Sequence, residues 1–379
     1  MKTKLAKIYI LLSIILIFSL MSIPLFQSLL GSVIYLVALF LLISAIVFSK
    51  IKINNLIYIL VVTIYVCVSC LLNGGNLGSI ITFVLPILLF LIFSEAEINK
   101  KETTFLKYFC FFGLIVLFCY SFPYSEGYRS PLFITLNPNT LGMFIMYFFM
   151  IISVLGEYSK KRNKIFIILL FFMSIEGMYN YQSRGTVLAL VFFALLMIAP
   201  SSIYNDKIIT LITIAVILIG TIFPFIYLNL YKNGYSLEMF GKDLYTGREK
   251  LWLTMFNLFN ESDLGILIGL GSDTVLVNTN LNVHNNFFNI IVNFGVIGYM
   301  LYYGFIIVSI KQLAKNSGNC LVRKGIFMFI CSALVLGFTE TTTLWLHVFP
   351  FVYFGLILAN VETRRILILD KNYEDKNAN

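Results

Sequence analysis

Three short clusters in this chain join a cation or a titratable donor to small, turn-forming residues: Ser183-Arg184-Gly185, Thr246-Gly247-Arg248-Glu249 and His284-Asn285-Asn286. A guanidinium carries five N–H donors in a planar fork that fits two phosphate oxygens. Helix N-termini attract the same kind of charge. Arg184 and Arg248 are therefore candidates for gripping a phosphate or diphosphate, with Gly247 and Gly185 allowing the backbone to come close. His284 is one of only 2 histidines, the other being His347. Imidazole is the side chain best suited to moving a proton near neutral pH, and Asn285 can orient it or hold a substrate hydroxyl. Each cluster also has a plain reading: an interfacial arginine snorkelling to headgroups, a solvated loop charge, a lone histidine at a boundary. Three of them falling on one side of a membrane weighs against coincidence.

Weaker candidates surround these. Glu176 falls inside an apolar run, where an ionisable group is costly and is a functional hypothesis by default. It precedes Arg184 by eight residues, about 12 Å of helical rise, so an ion pair between them needs a bend. Asn137-Pro138-Asn139, with Arg129 upstream, reads either as a turn and cap or as part of a substrate site. Glu340 and His347 flank the last outer loop and read as structural. Glu261-Ser262-Asp263 is thin support for a cation site, so no metal is expected, and no cofactor. No Walker loop, H-E-x-x-H or G-x-S-x-G element is present, and ATP is not expected to drive the chemistry.

The elements that must position these residues are membrane helices. Of 379 residues, 59% are hydrophobic and 12% charged, where a soluble domain carries roughly 25% charged residues. Apolar runs predict an all-α, polytopic bundle of about a dozen spans. They fall near 5–23, 29–48, 55–72, 79–94, 105–122, 139–156, 164–182, 185–199, 207–228, 285–310, 324–340 and 345–361. Residues 1–370 form one transmembrane domain and 371–379 a polar tail. The first run begins with Lys2, Lys4 and Lys7 like a signal peptide, but lacks a clear cleavage site and is read as retained.

Orientation follows from where lysine and arginine lie, since they stay preferentially on the cytoplasmic side. With both termini inside, only Arg129, Arg184, Lys232, Lys242, Arg248 and Lys250 of the 27 basic residues lie outside. That bias accounts for the net charge of +9 and leaves no basic patch for nucleic acid. Cys67 and Cys70 sit inside a span and read as packing thiols. One large non-cytoplasmic loop, 229–283, holds the second cluster. Its apolar residues need burial, and the spacing of Leu251, Met255, Leu258 and Phe259 predicts a helix lying on the outer interface. Gly269-Leu270-Gly271 beyond it predicts a tight turn.

Taken in order, these elements resemble the O-antigen polymerase and O-antigen ligase family of bacterial membrane glycosyltransferases. His284-Asn285-Asn286-Phe287-Phe288 running on to Gly295 and Gly298 is similar to the family's H-N-x-x-L…G-x-x-G element, with Phe where Leu is common. Gly247-Arg248 followed by Trp252 and then Gly269-Leu270-Gly271 resembles the outer loop ahead of that histidine. Ser183-Arg184-Gly185 resembles the Arg-Gly hairpin upstream. The motif-bearing stretch covers roughly residues 180–300. The resemblance implies a GT-C-like bundle in the bacterial cytoplasmic membrane. It implies an undecaprenyl-diphosphate-linked oligosaccharide as donor, held by Arg184 and Arg248, with His284 at the acceptor hydroxyl. Arg129, Asn139, Glu176, Asn285 and Gly247 are expected around the substrate, and a flippase and a chain-length regulator are expected partners. The expected activity is polymerisation of repeat units into capsule, exopolysaccharide or O-antigen. Alternatives are a ligase moving finished glycan to a surface acceptor, and a flippase or exporter of lipid-linked oligosaccharide.

Overall fold

The computed structural model describes residues 53–73, 100–125, 138–157, 164–235, 248–262, 264–271, 283–316 and 320–340, with isolated positions between 83 and 91 and between 238 and 243. The expected spans 5–23, 29–48 and 345–361 lie outside the described residues, as do Arg129, Gly247, His347 and the tail 371–379.

The architecture is helical throughout: α1 (Ile53–Asn73), α2 (Lys100–Ser125), α3 (Pro138–Glu157), α4 (Lys164–Asn180), α5 (Arg184–Ile198), α6 (Asp206–Lys232), α7 (Arg248–Asn260), α8 (Gly265–Ile268), α9 (Asn286–Asn316) and α10 (Cys320–Leu336). A two-residue ladder pairs Glu238 with Asp243 and Met239 with Lys242. Among the described residues, 5 helices are long and apolar enough to cross a membrane by length and composition, namely α1, α2, α3, α6 and α9, the last counted across a break at Gly295. With no water in hydrocarbon to satisfy backbone groups, helices are the natural form for such apolar sequence. The chain is a helical membrane protein.

α3 is the axis of the bundle. Its apolar window is 94% buried, against 22% for α1, and α2, α4, α5 and α10 pack around it. From Leu141 to Val154 its hydrophobic side chains are at most 4% exposed. Nothing charged falls within Pro138–Gly156, so the helix can be surrounded without burying an unpaired ion. Its first turn, bearing Asn139, opens at the end of the bundle where α4 turns into α5.

One expected span departs from a simple crossing. Residues 285–310 were expected as one helix, but α9 is broken at Gly295, whose φ of 65° and ψ of −175° are not helical. Phe287 and Tyr303, eight residues to either side, stack with ring centroids 4.9 Å apart. A straight helix would hold them about 24 Å apart. The chain therefore folds back on itself, with a short arm from 286 to 294 beside a long arm from 296 to 316. A Cβ at Gly295 would stand 2.2 Å from the Leu267 carbonyl oxygen, so only glycine admits this approach. Hydropathy cannot register the reversal because both arms are apolar.

What presses on the break is the strap made by α8 and Gly269-Leu270-Gly271. Leu270 and Gly271 donate their N–H groups to the carbonyls of Val292 (2.6 Å) and Asn293 (3.2 Å). α1 holds the other side, Ser69 donating to the Ile268 carbonyl at 2.7 Å and Asn73 to that of Gly269 at 2.7 Å. The freed carbonyl of Phe294 accepts from the Tyr65 hydroxyl at 2.5 Å. Exposed backbone inside an apolar bundle is thus answered by protein donors. The two glycines expected to allow a tight turn have φ of 84° and 79°, and that turn also brings their backbone against the backbone at Asn293.

Candidate functional site

The sequence clusters meet at Glu340. This residue ends the turn after α10, where Thr339 and Glu340 donate their N–H groups to the Leu336 carbonyl at 3.2 and 3.1 Å. One carboxylate oxygen, Oε1, accepts from Asn139 Nδ2 at 2.8 Å and from Arg248 Nη2 at 3.1 Å. The other, Oε2, faces His284 Nδ1 at 3.5 Å. The carboxylate is largely buried, while the Arg248 and His284 side chains keep 21% and 26% of their surface open. A small polar centre is therefore reachable from outside, floored by Glu340.

Each member is placed by its own element. Arg248 begins α7, the helix expected at the outer interface, and Leu251, Trp252 and Met255 on its inner side are buried. Trp252 packs edge-on to Tyr227 of α6 and donates its indole N–H to the Val283 carbonyl. That bond ties the residue before His284 to the helix bearing Arg248. His284 has a φ of 51°, and with Gln182 at 54° it is one of two non-glycine residues with positive φ among the described residues. Such conformations cost about 1–3 kcal/mol and persist only where the surroundings impose them.

Asn285 supplies much of that imposition. Its side-chain amide donates to the carbonyls of Phe338 at 2.9 Å and Gly220 at 3.3 Å, while its Oδ1 accepts from the Phe288 N–H at 2.7 Å. The Asn286 N–H donates to the Gly337 carbonyl at 2.8 Å. Asn285, expected to touch substrate, is fully buried and bonded to backbone, so it positions His284 and the Glu340 turn against each other.

Arg184 comes to the same place through a tight fit. A Cβ at Gly185 would lie 1.9 Å from Thr339 Oγ1, directly before Glu340, and one at Gly142 would lie 2.5 Å from the Ser183 side chain. Two glycines thus let the α4–α5 hairpin settle on the first turn of α3 and on the Glu340 turn. Tyr181 locks the hairpin by donating to the Leu117 carbonyl of α2 at 2.8 Å. Arg184 itself is half-buried at the start of α5. Glu176, in contrast, is exposed on the outward face of α4 and takes no part in the cluster.

Four helices begin here: α3 at Pro138, α5 at Arg184, α7 at Arg248 and α9 at Asn286. Each helix start carries partial positive charge from N–H groups without intrahelical partners. Added to Arg248, Arg184 and His284, they make a locality suited to an anion, which the Glu340 carboxylate occupies in this structure. Sequence reasoning placed Glu340 among structural residues. The available signal was an acidic group standing at the very end of an apolar run.

Fold and site together define a polytopic helical membrane protein with a partly open centre of paired charges where four helix N-termini meet. No protein-family model matches the chain, and no curated protein is significantly similar to it.

Proposed function

We propose that this protein is a membrane glycosyltransferase of the O-antigen polymerase and ligase type, working on a sugar donor linked to a lipid diphosphate. The observation that carries the reading is the convergence of Arg248, His284 and Asn139 on one carboxylate, with the Arg184 hairpin fitted closely against the preceding residue, Thr339. We assign it a GT-C-like bundle of about a dozen spans with both termini cytoplasmic in the bacterial cytoplasmic membrane. No cofactor or metal enters the proposal.

In the proposed reaction, the acceptor hydroxyl oxygen attacks the anomeric carbon as the bond from that carbon to the diphosphate oxygen breaks. The bonding pair leaves on the diphosphate, whose growing negative charge is met by Arg248, Arg184 and the helix N-termini. Fixed donors of this kind lower a barrier by about 3–4 kcal/mol each when they face charge only the transition state develops. The hydroxyl proton passes to His284, and Glu340 behind it steadies the imidazolium that forms. Undecaprenyl diphosphate then departs. The growing chain and the next repeat unit are the two substrates, and a flippase and a chain-length regulator are the proposed partners.

Arg248→Ala and His284→Ala, each checked for membrane insertion, test this by sizing the lipid-linked glycans. The expected result is accumulation of single repeat units and loss of polymer by about 10²–10³-fold. Normal polymer from both variants would end the proposal. Long chains retained on lipid would instead identify a ligase, and repeat units trapped on the inner leaflet an exporter.

A further inference from the structure

The short arm of α9 has three different faces. Phe287, Ile290 and Phe294 pack into the main core, while Phe288 and Val292 pack with Tyr227 and Trp252. The third face is polar: Asn285, Asn289 and Asn293 recur every four residues and so line one side of the arm. The row starts at the site, with Asn285 next to His284, and Asn289 and Asn293 follow about 6 and 12 Å farther along. Its direction is set by α6. Asn285 bonds to the Gly220 carbonyl, and Phe288 meets Phe225 with ring centroids 6.1 Å apart. The arm therefore runs with α6 toward Lys232, the end that the lysine and arginine bias assigns to the outside.

The members of the row are used differently. Asn285 gives its amide to backbone carbonyls and holds the site together. Asn293 donates from Nδ2 to Asn289 Oδ1 at 2.9 Å, and its backbone carbonyl already accepts from the Gly271 N–H. Its Oδ1, however, has no hydrogen-bond partner among the described residues, although Asn293 is only 7% exposed. Asn289 beside it is half-buried, so the pair reaches the outside of the arm. A buried acceptor without a donor is destabilising, and folded proteins keep few of them. A leucine of similar size would remove that cost, so stability alone does not explain an asparagine here.

The chemistry this oxygen needs narrows the ligand. An ionised diphosphate brings acceptors only, and Arg248 and Arg184 stand at the other end of the row to meet it. An oxygen that needs a donor, joined to a second amide, suits hydroxyl groups, since each hydroxyl both gives and accepts a hydrogen bond. A glycan is dense in such groups, and along this arm its end would arrive at His284.

We infer that Asn289 and Asn293 form a subsite for the acceptor glycan, holding sugar hydroxyls along the short arm while the attacking hydroxyl reaches His284. This rests on the transfer reading above and divides the centre in two, with lipid diphosphate at the arginines and glycan on the asparagine row. The two asparagines bind and orient the acceptor; they touch neither the leaving group nor the proton.

The test uses membrane vesicles holding the full chain and its lipid-linked repeat units. The probe is the repeat-unit oligosaccharide freed from its lipid diphosphate by mild acid, which has no leaving group and can serve only as acceptor. For Asn293→Leu the expected result is a KM for this oligosaccharide raised about tenfold, with kcat within about twofold of wild type and a melting point no lower. An unchanged KM, or a lowered melting point, would overturn the inference, because either result makes the amide purely structural. Should Asn293→Leu fail to insert, Asn289→Ala at the half-buried position decides by the same KM. His284→Ala separates the two levels: if wild type extends the oligosaccharide and His284→Ala does not, the transfer reading stands and the asparagine variants judge the subsite alone. No extension by wild type, or equal extension by His284→Ala, would overturn the transfer reading and the subsite with it.

Discussion

One contact at each end of this bundle shows helix charge met in a different way. At one end Lys324 donates to the Met197 carbonyl at 2.5 Å and lies 5.6 Å from the Tyr204 ring. α5 terminates there at Ile198, and a cation at a helix C-terminus answers exposed carbonyls. At this contact the cation is matched to the end of α5. At the Glu340 end, cations stand beside helix N-termini, where like charge is unfavourable, and one carboxylate is shared among Arg248, His284 and Asn139. Glu249 in the first turn of α7 and Glu340 answer part of that charge. The side chains of Arg248 and His284 keep open surface beside them, and that is why function is sought at this end.

The largest effect that would sharpen this contrast comes from Gly295→Ala. It adds strain at a φ of 65° to a clash with the Leu267 carbonyl, and should cost about 3 kcal/mol or more. A thermal melt of the purified protein in detergent reads it, and an unchanged midpoint would remove the reversal from the account of the site. Next comes Glu340→Gln, which keeps an acceptor for Asn139 but deletes the internal anion. Binding of inorganic pyrophosphate, measured by calorimetry, should tighten roughly tenfold, or about 1.4 kcal/mol. Weaker binding would mean the carboxylate assists the ligand rather than standing in for it.

His284 separates chemistry from backbone strain. His284→Gly relieves its positive φ where His284→Ala does not, so Gly should melt higher than Ala by the equivalent of about 1 kcal/mol, with both variants losing polymer. Equal stability would show that the conformation is not imposed. The smallest effect belongs to the Lys324 contact. Lys324→Met should cost about 1 kcal/mol of stability and leave polymer length unchanged in a glycan ladder; a shift in length would break the contrast between the ends.

The gross fold was legible because hydrocarbon is an unforgiving solvent. Runs such as 139–156 and 207–228 announced helices that the structure places at Pro138–Glu157 and Asp206–Lys232. Arg184, Arg248 and His284 were legible for a related reason, since charge at the border of apolar sequence is conspicuous. Glu340 was not, because its importance lies in what it touches 56 residues from His284 and 92 from Arg248. Asn285 was read as orienting His284 or holding a substrate hydroxyl, and its amide serves backbone carbonyls beside His284, a role that composition cannot separate from ligand binding. The reversal at Gly295 was hidden because a glycine within an apolar run carries no sign of its φ. Glu176 attracted notice for its cost in a membrane, and the structure turns that cost outward.

The short arm from 286 to 294 also bears on assembly. At about 13 Å it cannot cross the bilayer during synthesis, as the long arm can. The carbonyl exposed at its end is satisfied by Tyr65, a partner 229 residues earlier in the chain. The arm that aims His284 therefore depends on an early helix of the chain for its backbone partner. A chain released before residue 295 would lack the Glu340 turn on which Arg248 and His284 meet, and so would present no finished centre.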